Sequence, residues 1–209
     1  MKKPNVIVFD FDGTIADSQR ATEKLFKLLS KEFGFEQTNS NGFDIYKEKG
    51  AQEAIQLLGI PKKKLPAIIE KYRTNMSKLS NTLKPIKGIK NVLTELEKNG
   101  FTLGILTSNS EENVNRFLKA NKMDFFEFVY SQGELFGKDT IMKQMLADQN
   151  LVAENVIYVG DESRDIESAK KVNIEVIAVT WGYNSSEVLK KYKPNHLVNQ
   201  PREIIELLI

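Results

Sequence analysis

The sequence contains no cysteine and a single histidine, His196. The first absence removes disulfides, thiolate metal sites and cysteine nucleophiles together. The second removes any multi-histidine metal centre and argues against a Ser-His-Asp triad. Charge of one sign is also missing: 30 Lys and Arg face 28 Asp and Glu, a net of +2, so nothing calls for nucleic acid or an anionic membrane as partner. No apolar run approaches the ~20 residues of a membrane span. The amino-terminal run, Val6–Phe9, is four residues long and meets Asp10 at once, too short for a signal peptide. The expectation is a soluble, cytoplasmic protein. Its chemistry must run on carboxylates, hydroxyls, lysines and a metal ion.

What is present is a chain of 209 residues, enough for one core with a modest insertion and a real hydrophobic interior. Short apolar runs recur at Val6–Phe9, 101–106, 126–130, 156–159 and 174–179, with a last short one at His196–Val198. Their length and β-branched content predict buried strands. Helical spacing fills the intervals. Ile89, Val92, Leu93 and Leu96 share a face that stops at Asn99-Gly100; Ser110 is placed to cap the helix carrying Val114, Phe117 and Leu118. Alternating strands and helices with near-continuous apolar strands predict an α/β fold, a parallel sheet covered on both faces.

One interval breaks the alternation. Residues 16–84 hold helical patterns and no strand. Leu25, Leu28, Leu29 and Phe33 predict one helix, Ile45 through Leu58 a second region ended by Gly59-Ile60-Pro61, and Leu65, Ile68, Ile69 and Tyr72 a third. This is a helical insertion after the first strand. Residues 16–83 carry twelve Lys or Arg and eight Asp or Glu, a basic lid suited to a small anionic substrate.

Ligands of open parallel sheets bind at the carboxyl ends of the strands. The first strand ends in Asp10-Phe11-Asp12-Gly13-Thr14, the second in Thr107-Ser108-Asn109, and the fourth in Gly160-Asp161-Glu162-Ser163-Arg164-Asp165; Lys138 opens the helix after the third. Two carboxylates ~4 Å apart repel by roughly 1–4 kcal/mol, and Asp161 adds to the repulsion. A hard cation relieves it, and oxygen ligands favour Mg²⁺. Lys138, the Thr107 hydroxyl and backbone N–H groups near Gly13 can serve a phosphate dianion. Taken singly these residues have ordinary readings: Asp165 as a helix cap, Lys138 as a surface lysine, Ser108 and Asn109 as turn residues, Trp181-Gly182 as packing, His196 as a surface group. Together they predict a metal-assisted phosphate site.

These residues resemble the haloacid dehalogenase superfamily in its aspartate-nucleophile phosphatase branch. The D-x-D-G-T motif is complete at Asp10, Asp12, Gly13 and Thr14, and G-D-x-x-x-D is complete at Gly160, Asp161 and Asp165, with Thr107 and Lys138 between them in order. The stretches at 107–109 and 179–182 are similar to phosphoglycolate-phosphatase-type members. The resemblance implies a Rossmann-like catalytic core at 1–15 and 85–209 with a helical cap at 16–84. It implies Asp10 as nucleophile and Asp12 as acid and base. Mg²⁺ would sit on the Asp10 carboxylate, the Asp12 carbonyl and Asp161. Thr107, Ser108, Lys138 and Gly13 would hold the phosphoryl group, with Asp165 in support. Residues 46–50 are similar to a substrate-specificity loop, which puts Lys49 and Gly50 near a small phosphorylated metabolite. A sugar phosphomutase, or a phospho-acceptor binding protein without turnover, stays open as an alternative. A dehalogenase would lack Asp12, and a dinucleotide-binding turn would be glycine-rich rather than acidic. Monomer and dimer are equally compatible with the sequence.

Overall fold

The computed structural model describes residues 5–35, 42–131 and 137–209; Met1–Pro4, part of the amino-terminal stretch considered above, lies outside the described residues. Six strands form the sheet: β1 (Val6–Phe9), β2 (Thr102–Thr107), β3 (Phe128–Ser131), β4 (Val156–Gly160), β5 (Glu175–Val179) and β6 (His196–Val198). Their spatial order is β3-β2-β1-β4-β5-β6, and every neighbouring pair is parallel. This is the expected Rossmann-like α/β core. The strands shift from their expected bounds by one or two residues at β2 and β3, where Phe101 and Phe126 pack against the core from outside the ladder.

Burial explains why these runs form strands. Every residue of β1 and of β4 is buried. Alternate side chains serve two cores, as a period of two requires. Ile7, Phe9, Leu103, Ile105, Ile157 and Val159 join one cluster; Val6, Val8, Leu106, Tyr158, Val176 and Ala178 join the other. The first cluster is closed by α5 (Ile89–Lys98), α6 (Glu111–Asn121) and α10 (Arg202–Leu208). The second is closed by α7 (Lys138–Asp148), α8 (Ser163–Lys171) and α9 (Ser186–Lys191). The Ser110 side chain accepts the Asn113 N–H at the start of α6, and α5 stops at Asn99 with Gly100 at φ 80°, both as expected.

Between β1 and α5 lie four helices: α1 (Gln19–Phe33), α2 (Gly42–Lys49), α3 (Ala51–Leu57) and α4 (Leu65–Leu79). Leu25 and Leu29 turn inward, but Leu28, on the edge of the same stripe, is exposed. Leu57 is exposed likewise. Lys62–Lys64 form an exposed 3₁₀ turn ahead of α4. The insertion leaves and rejoins the core side by side: Asp17 N donates to Lys84 O at 2.8 Å and Ile86 N to Ile15 O at 2.8 Å. No helix among the described residues is long and apolar enough to cross a membrane.

Candidate active site

The strand order reverses at β1, so the crevice opens at the carboxyl ends of β1 and β4. Phe9 pairs with Val159 in register, so Asp10 follows β1 beside Gly160 and Asp161 follows one residue further along the adjacent strand. Both are buried, as are Asp165 and Lys138. Carboxylate oxygens of Asp10, Asp161 and Asp165 lie within 4.8 Å of one another. Lys138 Nζ stands 2.9 Å from Asp10 Oδ1 and 2.6 Å from Asp165 Oδ1, and donates to Tyr158 Oη at 3.1 Å. The Tyr158 hydroxyl in turn donates a hydrogen bond to the Leu106 carbonyl.

Asp165 does two jobs. As the third residue of α8 it accepts the Glu162 N–H in a capping box, and it holds Lys138. Asp161 is fixed by the Thr14 hydroxyl at 2.7 Å and the Tyr183 N–H at 2.7 Å. Glycines form its cradle. A Cβ at Gly13 would lie 2.4 Å from Asp161 Oδ2, and one at Gly182 would lie 2.1 Å from it. Gly13 also needs its φ of 81° for the chain to leave the strand.

One ammonium cannot neutralise three carboxylates. Burial pushes the Asp10 carboxyl up to about 7 although Lys138 opposes it. Asp161 is pushed well above the usual range by burial and then by Glu162, Asp10 and Asp165. Lys138 loses solvation through burial, yet Asp10 and Asp165 raise its pKa. A set of buried, crowded oxygen donors with excess negative charge fits a hard divalent cation.

Asp12 stands apart from that cluster. Asn109 Nδ2 donates to its Oδ2 at 2.8 Å, while its buried Oδ1 has no hydrogen-bond partner. Burial raises its pKa, and the Asn109 bond opposes the rise. A carboxyl with one tethered and one open oxygen can exchange a proton with a ligand.

Other expected residues fall less simply. Thr107 is buried, and its hydroxyl accepts the Asn109 N–H at 3.0 Å. The Ser108 carbonyl accepts from Arg73 at 3.3 Å. The Gly13 N–H donates to Ala16 O at 3.0 Å, and the residue's close approach to Asp161 is steric. Residues 46–49 are the last turn of α2 rather than a loop. Gly50 touches the core: a Cβ there would meet Ser163 Oγ at 2.7 Å. Lys49 is not among the residues lining the cavity described below; its side chain is solvated beside Glu53.

Several neighbours had not been singled out for a site role. Asn109, read as a turn residue, positions Asp12. Glu162 accepts from Arg164 and, at 2.7 Å, from the Tyr46 hydroxyl. Burial would raise the Glu162 carboxyl, but the Arg164 guanidinium holds it below its ordinary value. The Tyr183 hydroxyl meets Ser18 and Thr22, and Lys47 O accepts the Ser185 N–H. These contacts dock the insertion on the core. The only sequence signal for them was adjacency to the motif residues.

A cavity of about 160 Å³ lies between the insertion and the sheet edge. Asp12, Ser108, Asn109, Glu162, Arg164 and Arg73 line it, as do the hydroxyl-bearing Thr22, Tyr46, Tyr72 and Tyr183. Of the twelve basic residues in 16–83, only Arg73 lines it, so the expected basic lid turns most of its charge to solvent.

Comparison with known proteins agrees with this geometry. Residues 7–179 match the family described as haloacid dehalogenase-like hydrolase. A phosphoglycolate phosphatase from Synechococcus elongatus is 26% identical over 96% of this chain and 95% of its own. Pyrophosphatase PpaX from Oceanobacillus iheyensis is 25% identical over 97% and 95%. A solved haloacid dehalogenase-like family protein from Streptococcus pneumoniae superposes over 100% of both chains with a TM-score of 0.82 at 23% identity. With the motif residues gathered at one sheet edge and the match running from β1 through β5, the chain belongs to the haloacid dehalogenase-like hydrolases.

Proposed function

We propose that this protein is a Mg²⁺-dependent phosphatase that hydrolyses a small phosphate monoester through an aspartyl-phosphate on Asp10. The observation that carries the reading is the division of labour between the two acids of the first motif. Asp10 lies in the buried cluster with Asp161, Asp165 and Lys138, while Asp12 lines the cavity, is held by Asn109 and keeps one buried oxygen without a hydrogen-bond partner. The naming of two relatives as phosphatase and pyrophosphatase supports it.

In the proposed reaction an Asp10 oxygen attacks phosphorus as the ester P–O bond breaks. Asp12 gives its proton to the departing alkoxide. Asp12, now ionised, takes a proton from water as that water attacks the phosphorus. Phosphate leaves and Asp10 is free again. Thr107, Ser108 and Lys138 hold the non-reacting oxygens, and Asp165 keeps Lys138 in place. Asp10, Asp161 and the Asp12 carbonyl would hold Mg²⁺, which when bound supplies the positive charge that phosphoryl transfer needs. Residues 1–15 and 85–209 act as the catalytic core, and 16–84 as a cap that excludes water and reads the leaving group.

Phosphate release from a panel of esters, p-nitrophenyl phosphate among them, tests this. Turnover is expected with Mg²⁺, and none is expected with EDTA. Undiminished turnover in chelator would overturn the metal assignment.

A further inference from the structure

The cavity beside Asp12 is unusual in what lines its far side. Phe26, Ile55, Leu65, Ile68 and Ile69 face it, and all five are only partly buried. Leu29, Phe43, Ala54, Leu58 and Met76 also line it, as buried groups. Apolar side chains from all four helices of the insertion thus surround a space instead of filling it. Packed interiors leave few such voids. No lysine lines it.

The charged groups are Asp12, Glu162, Arg164 and Arg73; the hydroxyls of Thr22, Tyr46, Tyr72 and Tyr183 also line the space, bonded to one another or to Glu162. Arg164 is engaged by both Glu162 oxygens, and Arg73 donates to the Ser108 carbonyl. The Asp12 acid and the ion-paired Arg164 therefore stand at the sheet edge, and hydrocarbon makes up most of the remaining wall, with its hydroxyls already partnered. Its volume of about 160 Å³ is close to that of an apolar cavity that takes a benzene ring, ~150 Å³.

We infer that the substrate is a phosphate monoester of an apolar alcohol, with an aryl or alkyl group of about six carbons seated between the helices of the insertion. This rests on the phosphatase reading and narrows its substrate class. A short carboxylate-bearing ester such as 2-phosphoglycolate, or inorganic pyrophosphate, would put charge against hydrocarbon and leave the far wall unfilled. Each buried methylene contributes ~0.8 kcal/mol, about fourfold in binding.

The experiment measures kcat/KM for ethyl, butyl and hexyl phosphate, phenyl phosphate, 2-phosphoglycolate and pyrophosphate. A rise of up to about fourfold per methylene from ethyl to hexyl is expected, with the two polyanions poorest. Equal or better turnover of ethyl phosphate or 2-phosphoglycolate overturns the inference. Ala54→Phe fills the cavity and should flatten the chain-length gradient. Ile68→Ala enlarges it and should move the optimum to a longer chain, which keeps the test open if the first variant does not fold. Binding of 1-hexanol by calorimetry separates the two ideas. Hexanol bound by the wild type and lost in Ala54→Phe, with no ester turned over, removes the phosphatase reading but keeps the apolar site. Turnover without either the gradient or hexanol binding removes the apolar site alone.

Discussion

Gly182→Ala is a sharp perturbation because the residue takes no part in chemistry. A methyl group there would stand 2.1 Å from Asp161 Oδ2 and 2.3 Å from its Cβ and Cγ. Ordinary van der Waals contact begins near 3.4 Å. The Asp161 Cβ is itself in the way, so rotating the carboxylate does not relieve the clash. The end of β4 or the turn at 182 must move by about 1 Å, since such interiors give little. That motion pulls on the Tyr183 N–H bond to Asp161 Oδ2 and on the Thr14 bond to Oδ1. Overpacking costs ~1–3 kcal/mol of stability. A ~1 Å displacement of a positioning group can cost on the order of 100-fold in rate. We therefore expect folded protein, kcat down by about two orders of magnitude, and half-saturation moved to higher Mg²⁺. The assay is ester hydrolysis across a Mg²⁺ titration, with thermal unfolding as the check on folding. Wild-type kcat and an unchanged Mg²⁺ titration would refute the role given to Asp161.

In Lys138→Met, the buried Asp10 and Asp165 lose their shared cation, so urea unfolding without metal should show a loss of ~3–5 kcal/mol. Metal-free protein should lose stability as pH rises between 3.8 and about 7, because folded Asp10 keeps a proton that the unfolded chain has released. The slope approaches about 1.4 kcal/mol per pH unit for one proton, and saturating Mg²⁺ should flatten it. Glu162, whose carboxyl is held down, acts the other way, but only below its ordinary 4.5. Denaturant titrations at pH 5 and 7, with EDTA or Mg²⁺, read the sign directly. Asn109→Ala removes a bond that stabilises ionised Asp12, so the basic limb of the kcat/KM profile should move to higher pH; an unmoved limb would detach Asn109 from the acid.

The core was legible because its strands are buried on both faces and stand out as apolar runs. Asp10, Asp161 and Lys138 were legible as a set because parallel topology brings every strand end to one edge. The insertion was legible as helices but not in its facing. Leu28 and Leu57 sit on helical stripes, yet are exposed, and helical spacing alone does not say which residues of a broad stripe meet a neighbour. Lys49 was expected near the substrate from its place in the chain, but whether its side chain turns to Glu53 or inward depends on how α2 and α3 meet at Gly50. The Asn109–Asp12 bond spans 97 positions, and the Tyr46–Glu162 bond spans 116. Such pairings are set by the docking of separate elements and leave no local pattern. The apolar character of the cavity was hidden for the same reason: a count of lysines in 16–83 says nothing about which side of each helix carries them.

The most direct test of the central claim is hydrolysis in H₂¹⁸O over many turnovers, followed by mass spectrometry of the peptide containing Asp10. If water cleaves an aspartyl-phosphate at phosphorus, ¹⁸O appears in released phosphate from the second step, and Asp10 keeps its original oxygens. Rapid quenching during turnover should then give a peptide heavier by one phosphoryl group, mapped to Asp10 and absent in Asp10→Asn. Steady hydrolysis with no phosphorylated Asp10 at any quench time, and activity retained in Asp10→Asn, would contradict the account.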